Sequence, residues 1–170
     1  MTATNMTNAA MAANAVNATS APATLWILGA GGHGRVVADA AAASGRFAEI
    51  VFFDDDARLP ARIGRFARQG DSAAFFADES RATTSPNAGA NTGAVERHIA
   101  IGNNTLRDTL VRRCEAAGLA LATVVHPAAV VSVEAEIAPG CFIAAGAIVA
   151  PGARLAAACI VNHGASIDHD

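Results

Sequence analysis

The chain has 170 residues, is 52% hydrophobic with only 5% aromatics, and carries 12 Lys and Arg against 15 Asp and Glu for a formal net charge of −3. That length fits one domain or two small ones; no basic run offers a nucleic-acid footprint, and glycine, proline or charge interrupts every apolar stretch before the ~20 residues a membrane span needs. Three cysteines, Cys114, Cys141 and Cys159, without a secretion signal read as reduced thiols in a cytoplasmic protein.

Residues 1–23 are largely Ala, Thr, Asn, Ser and Met and carry no charge. The segment lacks the basic start and leucine-rich block of a signal peptide, so it reads as a disordered low-complexity tail, with Met6 or Met11 as alternative starts. Order is expected from Leu25. Residues 25–28 form a short apolar run of strand length, and Gly29-Ala30-Gly31-Gly32-His33-Gly34 follows at once. Residues 35–44 carry Val36, Val37, Ala40 and Ala41 on one helical face, with Gly45 as the stop. Residues 50–53 read as a second buried strand running into Asp54-Asp55-Asp56. Strand, glycine loop, helix and strand in this order open a doubly wound parallel sheet. Glycines leave amide N–H groups unobstructed and the helix N-terminus adds partial positive charge, so the loop suits a phosphate or pyrophosphate. Gly29, Gly31 and Gly34, with Asp54 twenty residues beyond Gly34, also satisfy the dinucleotide fingerprint, and an NAD-binding protein is a rival reading. His33 favours a ligand over a bare turn, because packing has no use for an imidazole at an exposed loop tip.

Residues 57–70 are arginine-rich and are expected on the surface. Residues near 80–94 are low-complexity and read as a flexible insertion. Residues 98–101 make a third strand, Asn104 or Thr105 caps a helix running to Ala117 with Leu106, Leu110, Cys114 and Ala117 buried, and Gly118 closes it. Residues 119–125 give a fourth strand.

From Val125 the period changes. Val125, Val131, Ile137, Ile143, Val149, Leu155, Val161 and Ile167 recur every six residues, and four places after each of the first seven stands a small residue: Ala129, Ala135, Cys141, Ala147, Ala153, Cys159 and Ala165. Helices repeat at 3.6 and strands at 2, so neither accounts for a period of six. A triangular parallel β-helix does, with each unit making one flat side and one corner, the aliphatic side chain inside and the small one at the corner. Cys141 and Cys159 then stack on adjacent rungs as thiols.

The glycine loop with its histidine, the Phe53-Asp54-Asp55-Asp56 strand end, Ile101-Gly102-Asn103-Asn104 and the array ending Asn162-His163-Gly164-Ala165-Ser166-Ile167-Asp168-His169-Asp170 together resemble the NeuD/PglD-type sugar acyltransferases. These are sialic acid O-acetyltransferases and UDP-4-amino-sugar N-acetyltransferases. The resemblance implies an α/β fold: a small Rossmann-like βαβ domain over 24–124, followed by a partial left-handed parallel β-helix over 125–170. It implies acetyl transfer from acetyl-CoA, as co-substrate and without a metal, to an amino or hydroxyl group of a nucleotide-activated or sialic-acid-type sugar. It also implies a homotrimer holding acetyl-CoA between neighbouring coils, with no nucleic-acid partner. Residue by residue, His169 matches the general base, with Asp170 to orient it and Asp168 as a second acid; imidazole titrates near working pH. His163, one repeat earlier and on an adjacent face, is read as structural or secondary. Gly31, Gly32, His33, Gly34, Asp54 and Asp55 are the nucleotide-sugar candidates; Asn103 competes for that role with helix capping.

In the family the β-helix continues for several more coils, whereas 125–170 holds about two and a half at ~18 residues each. An open last coil exposes an unpaired edge. The expectation is therefore a fragment of a longer protein or a truncated form that binds acetyl-CoA poorly. A nucleotide-sugar-binding fragment without catalysis is the alternative function.

Overall fold

The computed structural model describes residues 23–77 and 95–169; the low-complexity tail up to residue 22, the insertion near 80–94 and Asp170 lie outside the described residues. Strand β1 (Ala23–Leu28) leads through the glycine loop into helix α1 (Gly32–Ser44). The helix stops at Gly45, whose φ of 68° places it in the left-handed region that glycine occupies without a Cβ penalty. Its buried face is Val37, Ala38, Ala40 and Ala41, with Val36 half-buried. Strand β2 (Phe47–Phe53) returns parallel to β1.

The arginine-rich stretch is not merely surface, as its composition suggests. It contains β3 (Arg62–Ile63) and β4 (Phe66–Gly70), an antiparallel pair turned at Gly64, and β4 adds to β2 in parallel. Arginine is accommodated there because Arg68 lays its guanidinium across main-chain oxygens, donating to Pro60 at 3.2 Å and Leu59 at 3.0 Å. A four-residue helix, α2 (Ser72–Phe75), caps on Asp71 and buries Phe75. Strand β5 (Val95–Ile99) pairs with the other side of β1, and helix α3 (Asn104–Ala116) follows. The sheet order is β3-β4-β2-β1-β5. The expected buried face of α3 needs correcting: Val111 and Cys114 are buried, whereas Leu106 is 48% exposed and Ala117 is exposed. The fourth strand over 119–125 also dissolves. Leu121 makes a single bridge to Arg97, and Val124–Val125 is β6, which belongs to the next layer.

That layer is a parallel β-helix built from two-residue strands at the expected period. They are β6 (Val124–Val125), β7 (Val130–Val131), β8 (Glu136–Ile137), β9 (Phe142–Ile143), β10 (Ile148–Val149), β11 (Arg154–Leu155), β12 (Ile160–Val161) and β13 (Ser166–Ile167). The aliphatic residue of each strand faces the interior, where Val125, Val131, Ile143, Val149, Leu155 and Val161 share a core with Ala129, Cys141, Ala147 and Ala153. Three ladders result: β12-β9-β6, β13-β10-β7 and β11-β8. Cys159 lies one rung from Cys141, its carbonyl accepting the N–H of Phe142 at 2.8 Å, and both remain thiols.

The outward residues give the three sides different chemistry. On β6, β9 and β12 they are Val124, Phe142 and Ile160, which join the core of α1 and the sheet. On β7 and β10 they are Val130 and Ile148, 54% and 46% exposed. On β8 and β11 they are Glu136 and Arg154, an exposed ion pair at 3.4 Å. The α/β layer is thus welded to one side of the prism by apolar burial, at about 1.5–3 kcal/mol for each fully buried large side chain.

Candidate functional site

Strand β1 has β2 on one side and β5 on the other, which makes the gap beyond its carboxyl end a topological switch point, the place where open α/β sheets hold ligands. The glycine loop borders this crevice, and Ala100 and Ile101, which follow β5, lie against it at Gly29. Within the loop the glycines divide by role. Gly29 has φ 106°, and a Cβ there would meet the Ala100 carbonyl at 2.7 Å; a Cβ on Gly34 would meet the Gly29 carbonyl at 1.9 Å. Those two close the turn. Gly31 and Gly32 are exposed and a Cβ on either meets nothing within 4 Å, so their bare backbone faces open space. The N-terminus of α1 has no side-chain cap and no acidic residue in its first turn, which leaves its N–H groups and partial positive charge available to an anion.

Asp54 and Asp55 lie at the carboxyl end of β2. Asp54 accepts the Ala30 N–H at 2.7 Å through one oxygen and the Asp56 N–H at 2.9 Å through the other. Asp55 accepts the Ser72 N–H at 2.7 Å. Asn103 is the N-cap of α3, its side-chain oxygen accepting the Leu106 N–H at 2.9 Å, so the capping role is the one the contacts display.

His33 departs from the expectation of an exposed loop tip. Its ring is half-buried and meets Phe142 of the β-helix edge-on at 5.4 Å between centroids. Burial, then the nearby Arg107 guanidinium, lowers its pKa. Its Nε2 is buried without a hydrogen-bond partner among the described residues. The sequence signal missed here lies in Phe142, the only aromatic in the hexapeptide array, which the imidazole packs against. His98, absent from sequence reasoning as a site residue, touches the same Phe142 ring at 6.4 Å. Its Nδ1 lies 2.9 Å from the Ala122 carbonyl, and burial drives its pKa down to about 4. An Nδ1–H tautomer satisfies that carbonyl.

Asp168 and His169 stand at the corner after β13, both exposed, with the His169 N–H donated to Asp168 Oδ1 at 2.9 Å. His163 sits exposed at the preceding corner, its Nδ1 3.1 Å from Asn162 Oδ1. Gly31, Gly32, His33 and Gly34 thus lie at the turn after β1, with Asp54 bonded to that turn at Ala30, while Asn103 caps α3 and Asp168 and His169 stand on the β-helix. Asp170 lies outside the described residues. Among the described residues no group of three His, Cys, Asp or Glu side chains is placed to hold a metal ion, and no helix is long and apolar enough to cross a membrane.

The PglD N-terminal domain family matches residues 24–114. Among solved structures, the acetyltransferase domain of PglB from Neisseria gonorrhoeae in complex with acetyl coenzyme A is 36% identical, covering 86% of this chain and 65% of that one, with a TM-score of 0.73. A mutant of perosamine N-acetyltransferase from Caulobacter crescentus, in complex with CoA and GDP-perosamine, is 30% identical over 90% of this chain and 66% of that one, with a TM-score of 0.70. WeeI from Acinetobacter baumannii shares the fold at 19% identity and a TM-score of 0.64. This chain thus spans about two thirds of the length of these structures. No curated protein matches the chain.

Proposed function

The chain belongs to the PglD N-terminal domain family, and from that membership we propose that it serves acetyl transfer from acetyl-CoA to an amino or hydroxyl group of a nucleotide-activated or sialic-acid-type sugar, in bacterial glycan biosynthesis. The observation that carries this reading is the docking of a phosphate-suited crevice onto a hexapeptide coil: His33 of the crevice packs on Phe142 of the coil. An anion site and a β-helix welded together supply an address for a nucleotide-sugar beside a scaffold for the acyl donor. Two relatives with this architecture are described with acetyl coenzyme A and with CoA plus GDP-perosamine.

In the reaction so assigned, the nucleotide diphosphate lies against the Gly31-Gly32 backbone and the uncapped start of α1, where N–H groups meet its charge. The sugar amine or hydroxyl attacks the thioester carbonyl. Its proton passes to the imidazole of His169, the carbon–sulfur bond breaks, and CoA leaves as the thiol after taking up a proton. Asp170 is assigned to orient the ring, with Asp168 as the second acid. No acyl-enzyme and no metal enter this scheme.

The side of the β-helix bearing Val130 and Ile148 supports a homo-oligomer, the trimer that the resemblance implies. Val130 and Ile148 are adjacent on that ladder, and Val133, 61% exposed, lies two residues beyond β7. A contiguous apolar patch of this kind is what subunit contacts cover. The cytoplasm, where nucleotide-sugars and acetyl-CoA both occur, is the compartment that fits this substrate pair.

The test is direct. Protein incubated with acetyl-CoA and GDP-perosamine, or with a UDP-4-amino-sugar, is followed by release of CoA thiol and by mass gain of the sugar. Isothermal titration with the same nucleotide-sugars and with NAD runs alongside. Nucleotide-sugar binding with acetyl transfer supports the reading. NAD binding with no affinity for either nucleotide-sugar overturns it, and nucleotide-sugar binding without transfer reduces the chain to a binding module.

A further inference from the structure

Arg107 projects from the first turn of α3 into the seam where the crevice meets the β-helix. Its guanidinium makes four hydrogen bonds to two separate stretches of chain. Nη1 donates to the carbonyls of Ile101 at 2.9 Å and Gly102 at 3.2 Å, Nη2 to Asn104 Oδ1 at 2.8 Å, and Nε to the carbonyl of Ala158 at 3.0 Å. The first three acceptors lie on the 101–104 stretch after β5, and the fourth is a corner of the β-helix.

That corner is unusual. Ala158 is the one non-glycine residue with positive φ among the described residues, at 55°, while the corners at 140, 146, 152 and 164 turn on glycine. An alanine in this region is held against its steric preference. It is held by its own N–H donated to Pro139 at 3.0 Å, by burial among Ile99, Val111 and Cys114, and by the Arg107 bond. Toward the crevice, the wall that Arg107 grips is the wall on which the glycine loop closes. A Cβ on Gly29 would meet the Ala100 carbonyl at 2.7 Å and Ile101 Cδ1 at 2.9 Å, so loop and wall are in direct contact. Contacts therefore run without a gap from the glycine loop through Ile101 and Arg107 to the β-helix corner.

We propose that Arg107 is a positioning residue that sets the spacing between the nucleotide-sugar crevice and the acetyl-transfer coils, by clamping the wall over 101–104 to the corner at Ala158. This rests on the proposed transfer reaction. The guanidinium suits the task because its planar fork donates in several fixed directions at once, which an ammonium does not reproduce. It touches no reacting atom in this assignment. Loosening it lets an acceptor bound to the α/β layer drift relative to an acyl donor on the β-helix, and a displacement of about 1 Å is enough to cost on the order of 100-fold in rate.

The experiment compares wild type, Arg107→Lys and Arg107→Met in the whole protein, using GDP-perosamine and acetyl-CoA as probes. The expected result for Arg107→Met is a kcat lower by at least ~10-fold, with the titrated Kd for GDP-perosamine within about threefold of wild type. Arg107→Lys should lie between the two, since it restores charge and one donor direction. Hydrogen exchange by mass spectrometry should show faster exchange at amides 101–107 and 158–160 in both variants, and little change in β1 and β2. A kcat for Arg107→Met within about twofold of wild type overturns the proposal, as does a Kd that rises in step with the loss of kcat/KM. Unchanged exchange at 101–107 and 158–160 also overturns it. If Arg107→Met does not fold, Arg107→Lys decides by the same three readouts. A wild-type protein that neither binds nor acetylates the sugar sinks the reaction assignment instead, and the exchange comparison still decides the clamp.

Discussion

The carboxylate of Asp54 holds the amide of Ala30 at 2.7 Å, so the end of β2 braces the glycine loop from below. With Gly29 also donating to the Phe53 carbonyl at 2.8 Å, the loop is ordered by strand-end contacts; the Gly31 carbonyl accepts the Arg35 N–H at 3.1 Å, while Gly31 and Gly32 stay exposed with open space where a Cβ would stand. An anion arriving there has little chain entropy left to remove.

This division of labour separates two substitutions. Gly31→Val places its Cβ in open space on a backbone with ordinary φ, so thermal unfolding should shift by no more than a few degrees, whereas nucleotide-sugar affinity measured by titration should be lost because the side chain blocks the backbone's approach. Gly34→Ala should do the reverse damage. Its Cβ would lie 1.9 Å from the Gly29 carbonyl, and denaturant unfolding should report a loss of roughly 3 kcal/mol or more. Retained affinity in Gly31→Val would remove the loop from the site.

In a version extended with further coils, His169→Ala should lower acetyl transfer by at least ~100-fold, the usual contribution of a positioned general base. Nucleotide-sugar binding should barely change, since His169 stands on the β-helix at the corner after β13 and not in the α/β layer. Full activity in this variant would move the base to another residue, with His163 examined next.

His98 makes stability depend on acid. Its folded pKa, about 4, lies below the ordinary 6.5 because burial penalises the cation, with His33 and Arg107 adding like charge. Between these values the unfolded chain binds the extra proton and the folded one does not, so stability is fully present above about 6.5 and declines as pH falls toward 4. The loss over that window is on the order of 3 kcal/mol. His98→Asn offers the Ala122 carbonyl a neutral donor. Unfolding of this variant followed from pH 7 to 4 should show a flatter profile than wild type, and an equal slope would put the acid sensitivity elsewhere.

Burial raises the thiol pKa values of Cys114 and Cys141 to about 11, and Cys141 also donates to the Ala156 carbonyl at 3.1 Å. Neither forms thiolate readily near neutrality, and the thiolate is the reactive species. Native protein treated with a disulfide reagent at pH 8 should therefore titrate Cys159 first and the other two only on unfolding, read as mass adducts after digestion. Rapid labelling of Cys141 would contradict the packing of the β-helix interior.

Replacing Val130 and Ile148 together by Asp should leave the β-helix folded, since both side chains point outward, and should shift sedimentation toward the monomer. An unchanged sedimentation coefficient would locate any self-association elsewhere.

The β-helix was legible because its repeat spends residues on one purpose: Val125, Val131 and Ile143 all enter the same interior, and nothing local competes with that pattern. Strand β4 was hidden because Phe66-Ala67-Arg68-Gln69-Gly70 lies at the second-from-edge position, where an arginine is stabilised by carbonyls of the loop just before β3. Leu106 misled because the first turn of α3 stays exposed, and its inner face meets the core only from Leu110 onward. The loop at Gly29 and Gly34 announced itself through composition. The burial of His33 did not, because it depends on Phe142, more than one hundred residues away in sequence.

The three-sided chemistry of the prism sets a rule for how such a chain tolerates length change. Phe142 pairs with Ile160 eighteen residues later, so adding or removing a whole turn keeps every following residue on its own side, and the docked, apolar and charged sides simply lengthen or shorten. Adding a single hexapeptide ahead of Phe142 would satisfy the interior equally well, yet it would advance the downstream chain by a third of a turn. Phe142 would then occupy the side where Val130 now stands, and Ile148 the side of Glu136. The interior counts in sixes, but the partners of the three sides count in eighteens, and it is the longer count that inherited insertions and deletions must respect.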